Sequence, residues 1–171
     1  MKIGIVSDSH GMARRLRAAL GILTSGGVDA IVHCGDIGSI RCLELLGAVG
    51  VPIYAVAGNM DRHIERLESA AAERNVMFSW EVVEVPIGGD RFLVAAHGHD
   101  ERILGGLLAG QQFPYICHGH THCTRDERIG KVRLINPGAL CRPRSPGGPT
   151  AAILDTDKDE LEIIKVAGGA A

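Results

Sequence analysis

Three imidazoles crowd into five positions at "HGHTH", residues 118 to 122, and Cys123 follows at once. A packed interior has little use for so many ring nitrogens. Imidazole binds transition metals and moves protons near neutral pH, so the stretch raises the question of which other donors join it. Further polar islands interrupt the apolar runs of the chain: "DSHG" (8 to 11), "GD" (35 to 36), "GN" (58 to 59) and "HGH" (97 to 99). With "GHTH" (119 to 122), each sits at a predicted C-terminal strand end, where such folds build their sites.

In extended chain, residues i and i+2 point to the same side. Asp8 with His10, and His120 with His122, could therefore each face one ion together. Glycines at 11, 35, 58, 98 and 119 flank the islands and permit sharp turns and close approach. Asp8, His10, Asp36, Asn59, His97, His120 and His122 offer oxygen and imidazole donors without thiolate. That set suits Mn, Fe, Zn, Ni or Co better than Ca or a structural zinc. Seven donors exceed what one ion needs and suit two ions sharing a carboxylate, an arrangement that clamps the attacking and leaving oxygens of phosphoryl chemistry.

Each island alone has a structural reading. A lone Asp-x-His is commonly a surface feature, and "GD" or "GN" a turn. Asp61 reads as a helix N-cap, His33 as a strand residue and His63 as a solvated helix residue. The argument for a site rests on the joint occurrence of all five islands, in order, at strand ends.

The elements that must position these residues follow from periodicity. Lys2 to Ser7, 30 to 34 and 52 to 57 read as buried strands. Helices are expected at Ala13 to Leu23, with Leu16, Leu20 and Leu23 on one face, at Leu43 to Val49, and over 61 to 75. Beyond position 80 the pattern turns mostly β: two strands around "GGD" form a hairpin, then come a helix at Ile103 to Ala109 and strands "YIC", "VRLIN", "AAILD" and "ELEIIK". Two sheets packed face to face with helices outside satisfy this order.

Composition bounds the function. Of 171 residues, 46% are hydrophobic, enough for a core, and the formal net charge is -2 without a basic stripe. With only 4% aromatic residues, an extended nucleic-acid partner is disfavoured. Five cysteines without a C-x-x-C fit reduced thiols, and Cys34 is expected to face the core. No apolar run reaches the roughly 18 residues that span a bilayer. One domain over residues 1–166, a frayed tail at 167–171, a cytoplasmic location and no membrane partner are expected. An exposed strand edge offers a route to a homo-oligomer.

The ordered series "DSH…GD…GN…HGH…GHTH" resembles the calcineurin-like metallophosphoesterases, above all their small single-domain phosphodiesterase branch. The resemblance runs from "KIGIVSDSHG" to "RLINPGALCRPR" and implies an αββα sandwich. It implies one divalent ion at Asp8, His10, Asp36 and His122 and a second at Asp36, Asn59, His97 and His120, bridged by Asp36. Mn2+ leads the candidates, with Ni2+, Fe, Zn2+ or Co2+ as alternatives. The implied reaction is attack of a metal-bridging hydroxide on a small phosphodiester. Many relatives follow "GN" with His, where Met60 stands here, and larger ones read "GDxxD", where Ser39 takes the last place. His99 is the candidate to protonate the leaving group or to support His97. Asn59, Arg142 and Arg144 are candidates to hold substrate, the two arginines being otherwise solvated loop residues. The rival readings are a phosphomonoesterase and a non-catalytic scaffold, as in the retromer subunit that resembles this family.

Overall fold

The computed structural model describes residues 1–167, so the expected tail, Ala167 apart, lies outside the described residues. Among the described residues, eleven strands and four helices follow in the order β1 (Lys2–Val6), α1 (Ala13–Ser25), β2 (Ala30–His33), α2 (Ile40–Gly47), β3 (Ile53–Val56), α3 (Ile64–Ala72), β4 (Val76–Ser79), β5 (Val82–Pro86), β6 (Phe92–Ala96), α4 (Glu101–Gly110), β7 (Tyr115–Cys117), β8 (Thr124–Ile129), β9 (Val132–Pro137), β10 (Thr150–Asp155) and β11 (Glu160–Lys165).

The strands form two mixed sheets. The six-stranded sheet has the order β11-β10-β1-β2-β3-β4, and the five-stranded one β5-β6-β7-β9-β8. Strands β1 to β4 run parallel, as do β6, β7 and β9, while the outer strands β11, β10, β5 and β8 pair antiparallel. Alternation along each strand sorts its side chains between two layers. Ile3, Ile5, Val32 and Tyr54 of the first sheet meet Leu93, Ala95, Tyr115, Cys117 and Ile135 of the second in the central core. The opposite face of the first sheet packs under α1, α2 and α3 through Val6, Ile31, Leu16, Leu43 and Leu67. Val94, Ile116 and Leu134 face Leu104, Leu107 and Leu108 of α4. The layers are therefore α, β, β, α, the sandwich expected from the strand pattern. Among the described residues no helix is long and apolar enough to cross a membrane.

Two edge strands escape the sequence pattern, β4 ("VMFS") because its apolar run is too brief to read and β8 ("TRDERI"), mostly exposed and charged, because it has almost none. At a sheet edge one flank meets no partner strand and apolar side chains are not required. The third helix begins later than expected. Its N-cap position is His63, not Asp61. The second begins earlier, because the Ser39 hydroxyl accepts from the Cys42 N–H at 3.3 Å and caps it.

His33 ends β2 fully buried. The Ser9 hydroxyl donates to the Ile37 carbonyl at 3.0 Å, so His33 Nε2–H donates to Ser9 Oγ at 2.9 Å and Nδ1 is left without a partner. Burial, with a smaller contribution from His97, drives the His33 pKa from 6.5 down to about 3. The unfolded chain takes up this proton near pH 6.5 while the folded chain resists it to about pH 3, so the stability it contributes is present above pH 6.5 and lost through that window. Urea midpoints measured at pH 7 and pH 5 should therefore fall less between the two for His33→Gln than for the parent chain; an equal fall would show that His33 does not stay neutral when buried.

Candidate metal centre

The C-terminal ends of the parallel strands β1, β2 and β3 in one sheet and β6 and β7 in the other open at the same rim. The loops beyond them carry Asp8 and His10, Asp36, Asn59, His97, and His120 with His122, respectively. Five of these residues hold left-handed backbone: Asp8 (φ 52°), His10 (φ 43°), Asp36 (φ 55°), His120 (φ 66°) and His122 (φ 59°). Such conformations cost about 1–3 kcal/mol each for residues other than glycine and persist where the surroundings over-determine them, above all at functional sites.

These bends bring the donors together. Asp8 Oδ1 lies 3.2 Å from His122 Nε2 and 3.9 Å from His10 Nε2, and the two imidazole nitrogens are 3.3 Å apart. Asp36 Oδ2 lies 3.5 Å from His10 Nε2 on one side and 3.4 Å from His97 Nε2 on the other. Asn59 Oδ1 is 3.0 Å from His97 Nε2 and 3.1 Å from His120 Nδ1. Two compact trios of acidic and imidazole donors result, Asp8–His10–His122 and Asp8–Asp36–His97, each with ligand atoms within 4.8 Å of one another.

Spacing alone placed His120 and His122 on one side. They part instead, His122 joining Asp8 and His10 while His120 joins Asn59. Neither residue lies in extended chain, so the two-residue alternation does not govern where they point. His118, the first ring of the series, turns inward and is buried, its Nδ1 3.1 Å from the Gly119 carbonyl.

The protein fixes one atom of several donors and leaves the other facing the centre. Asp8 Oδ2 accepts from the Ser7 hydroxyl at 2.6 Å and from the His120 N–H at 3.2 Å, while its Oδ1 is buried without a hydrogen bond. Asp36 Oδ1 accepts from the Met60 N–H at 2.8 Å. His97 Nδ1–H donates to the Cys34 carbonyl at 2.8 Å and His122 Nδ1–H to the Arg142 carbonyl at 2.9 Å, which leaves each Nε2 with its lone pair. Lone pairs converging on Asp8 Oδ1 repel unless a proton or a cation sits among them. Atoms about 2.0–2.2 Å from a shared cation stand about 3.0–3.5 Å from one another. Most of these separations fall in that range, so the residues fit divalent metal ions.

Electrostatics agree. Burial opposes ionisation of Asp36, but the adjoining His97 imidazole, the Met60 N–H and His10 together outweigh it and hold the carboxyl below its usual range. Burial likewise opposes a charge on His97, and Asp36 overcomes it and raises the pKa. For Asp8 burial prevails and the pKa rises, despite the Ser7 hydroxyl. A divalent cation would supply the positive charge that these carboxylates otherwise draw from histidine.

Close packing explains two of the glycines. A Cβ at Gly58 would lie 2.1 Å from Asp36 Oδ1, and one at Gly119 would lie 1.9 Å from Ser7 Oγ. It is the donor side chains and their hydrogen-bond partners that require this room.

The other candidates fall around the rim. His99 is exposed, its ring centroid 5.5 Å from that of His97 and 6.2 Å from that of His120. Arg142 and Arg144 are exposed and meet the site through backbone: the Arg142 carbonyl holds His122 Nδ1, and the Arg144 N–H donates to the His122 carbonyl at 2.9 Å. Met60 is half-exposed, and its N–H holds Asp36. Cys34 and Cys117 are buried in the central core, where burial raises both thiol pKa values.

Residues 1–159 match the calcineurin-like phosphoesterase superfamily domain. The chain belongs to this family. The chain is 32% identical over 167 residues to Phosphodiesterase MJ0936 of Methanocaldococcus jannaschii, covering 96% of its own length and 98% of the relative's. A solved structure described as a novel archaeal phosphodiesterase superposes with a TM-score of 0.86 at 31% identity, over 96% of this chain and 99% of that one. Yfce, a phosphoesterase from E. coli, shares the fold with a TM-score of 0.69 at 20% identity, over 98% and 100% of the two chains.

Asp61 is the residue that the sequence misassigns. It is buried, and its carboxylate accepts from the N–H groups of Ile37 (3.0 Å), Gly38 (2.7 Å) and Gly58 (2.9 Å). It thereby ties the Asp36 loop to the Asn59 loop. Its place ahead of a helix imitated an N-cap; nothing local in the sequence marks its distant backbone partners. A buried N–H left without an acceptor costs about 1–3 kcal/mol. Asp61→Ala should lower the urea midpoint and weaken Mn2+ binding in calorimetry, whereas Glu65→Ala, on the exposed first turn of α3, should change neither. Unaltered Mn2+ affinity in a folded Asp61→Ala protein would refute the tie between the loops.

Proposed function

We propose that this phosphoesterase hydrolyses small phosphodiesters at a pair of divalent cations, Mn2+ foremost. Asp8, His10, Asp36 and His122 would hold one ion, and Asp36, Asn59, His97 and His120 the other. The observation that carries the reading is the position of Asp36 Oδ2, flanked by His10 Nε2 at 3.5 Å and His97 Nε2 at 3.4 Å. The parting of His120 from His122 supports the same partition. The presence of Asp8 in both compact trios means that its charge is felt at both positions as well.

Bound cations supply Lewis acidity: they lower the pKa of water and neutralise charge growing on phosphate oxygens. The chain does the rest. Asp8 and Asp36 provide the fixed negative charge that retains cations, each held by its second oxygen. Asn59 adds a neutral oxygen, and its amide N–H2 is the donor available to a phosphate oxygen. Cys34 and Arg142 set the tautomers of His97 and His122 through their carbonyls. In the reaction water adds to phosphorus, the P–O bond to one organic group breaks, and a proton passes to the departing oxygen. His99, at the lip beside His97, is the imidazole we assign to that proton, since Met60 brings none.

Similarity to a phosphodiesterase over nearly the whole chain favours diesters over monoesters. An assay with bis(4-nitrophenyl) phosphate should show activity that is lost on chelation and restored by Mn2+. Asp36→Asn should reduce kcat/KM by about 100-fold or more at saturating Mn2+, since losing even a hydrogen-bond partner of a metal ligand costs about 10–100-fold. Full activity in that variant would contradict a shared carboxylate, and absence of hydrolysis in the metal-loaded parent would contradict the enzyme reading.

A further inference from the structure

A cavity of about 350 Å3 opens directly beside the candidate centre. The turn between β4 and β5 forms one wall, with Trp80 and Val82, and the segment from β6 into α4 forms the other, with His97, His99 and Ile103. His97 therefore belongs to both spaces: its Nε2 faces Asp36 and Asn59 while the ring borders the cavity. A group esterified to a phosphate held at the centre has this cavity as its neighbour.

Trp80 gives the cavity its chemistry. It is the chain's only tryptophan, and 48% of it is exposed, though indole is among the side chains that gain most from burial. Its Nε1–H donates to Glu68 Oε2 of α3 at 3.4 Å, which restrains the ring. Exposed, restrained aromatic rings beside a reaction centre bind flat groups by stacking. The rim carries Glu81 and Asp100. Asp100 is paired with Arg102 at 2.9 Å, whereas Glu81 has no salt bridge among the described residues, so Glu81 is the carboxylate that a ligand in this cavity meets.

We propose that this cavity binds the organic group of the substrate and selects a single aromatic or heteroaromatic ring system bearing no negative charge. Its volume lies at the lower end of the range for small-molecule sites, about 300–1,000 Å3, and takes one ring system. Glu81 disfavours groups that carry a further phosphate or carboxylate. The inference rests on the phosphodiesterase reading and deepens it, naming the class of ester.

The test uses two uncleavable monoanionic diester analogues joined to their organic groups only by P–C bonds, methyl(phenyl)phosphinate and dimethylphosphinate, with the Mn2+-loaded full chain. Because Trp80 is the sole tryptophan, intrinsic fluorescence reports on this wall alone. The phenyl analogue should bind about tenfold more tightly than the methyl one, in keeping with stacking worth about 1–3 kcal/mol per ring, and it alone should alter the fluorescence. By calorimetry the preference should shrink toward unity in Trp80→Ala and persist in Trp80→Phe, which keeps a stacking ring. Glu81→Gln should improve binding of a 4-carboxyphenyl analogue and leave the phenyl analogue unchanged. Equal affinities in the parent chain, or a preference that survives in Trp80→Ala, would overturn the proposal. Its failure is separable from failure of the enzyme reading: diester hydrolysis without a phenyl preference removes the cavity's role alone, and a phenyl preference without hydrolysis removes the enzyme reading alone.

Discussion

Two carboxylates withdrawn from water govern this structure. Asp8 and Asp36 are both buried, and their outward oxygens meet the same cluster of imidazoles. Burying an ionised carboxylate is costly unless positive charge and hydrogen bonds compensate. Hydrogen bonds from Ser7, Met60 and the His120 backbone satisfy one oxygen of each. The second oxygens remain, and only a proton or a cation can answer them. The fold stores this unmet demand at one rim.

The two sheets make such storage affordable in conformational terms. Parallel strands from both sheets end together, so loops distant in sequence arrive at one place without long excursions. The central core fixes the spacing of the sheets, and Asp61 fixes the spacing of two loops within one of them. Left-handed backbone then turns individual donors toward the centre, and glycines at 58 and 119 leave space for Asp36 and Ser7. The distortion is concentrated where the charge is, which is the pattern expected of a site held in place by its surroundings.

Much of this was legible in the residue order. Strands buried on both faces announce themselves as apolar runs rich in Ile and Val, as β1, β2 and β3 do, while β6 is legible from the hairpin turn at "GGD". β8 is not, because an exposed edge strand of charged residues has no apolar period to read. The polar islands at strand ends marked the centre, yet spacing misjudged His120 and His122, since neither lies in the extended chain it assumes. Asp61 showed only its local context, a helix about to begin. The carbonyls of Cys34 and Arg142, which orient two histidines, belong to backbone and leave no trace in side-chain chemistry.

The central claim concerns how many cations these donors hold. Equilibrium dialysis of metal-free protein against Mn2+, followed by elemental analysis, measures it directly. Binding should saturate at two ions per chain. Saturation at one ion, or no retention at all, would contradict the account.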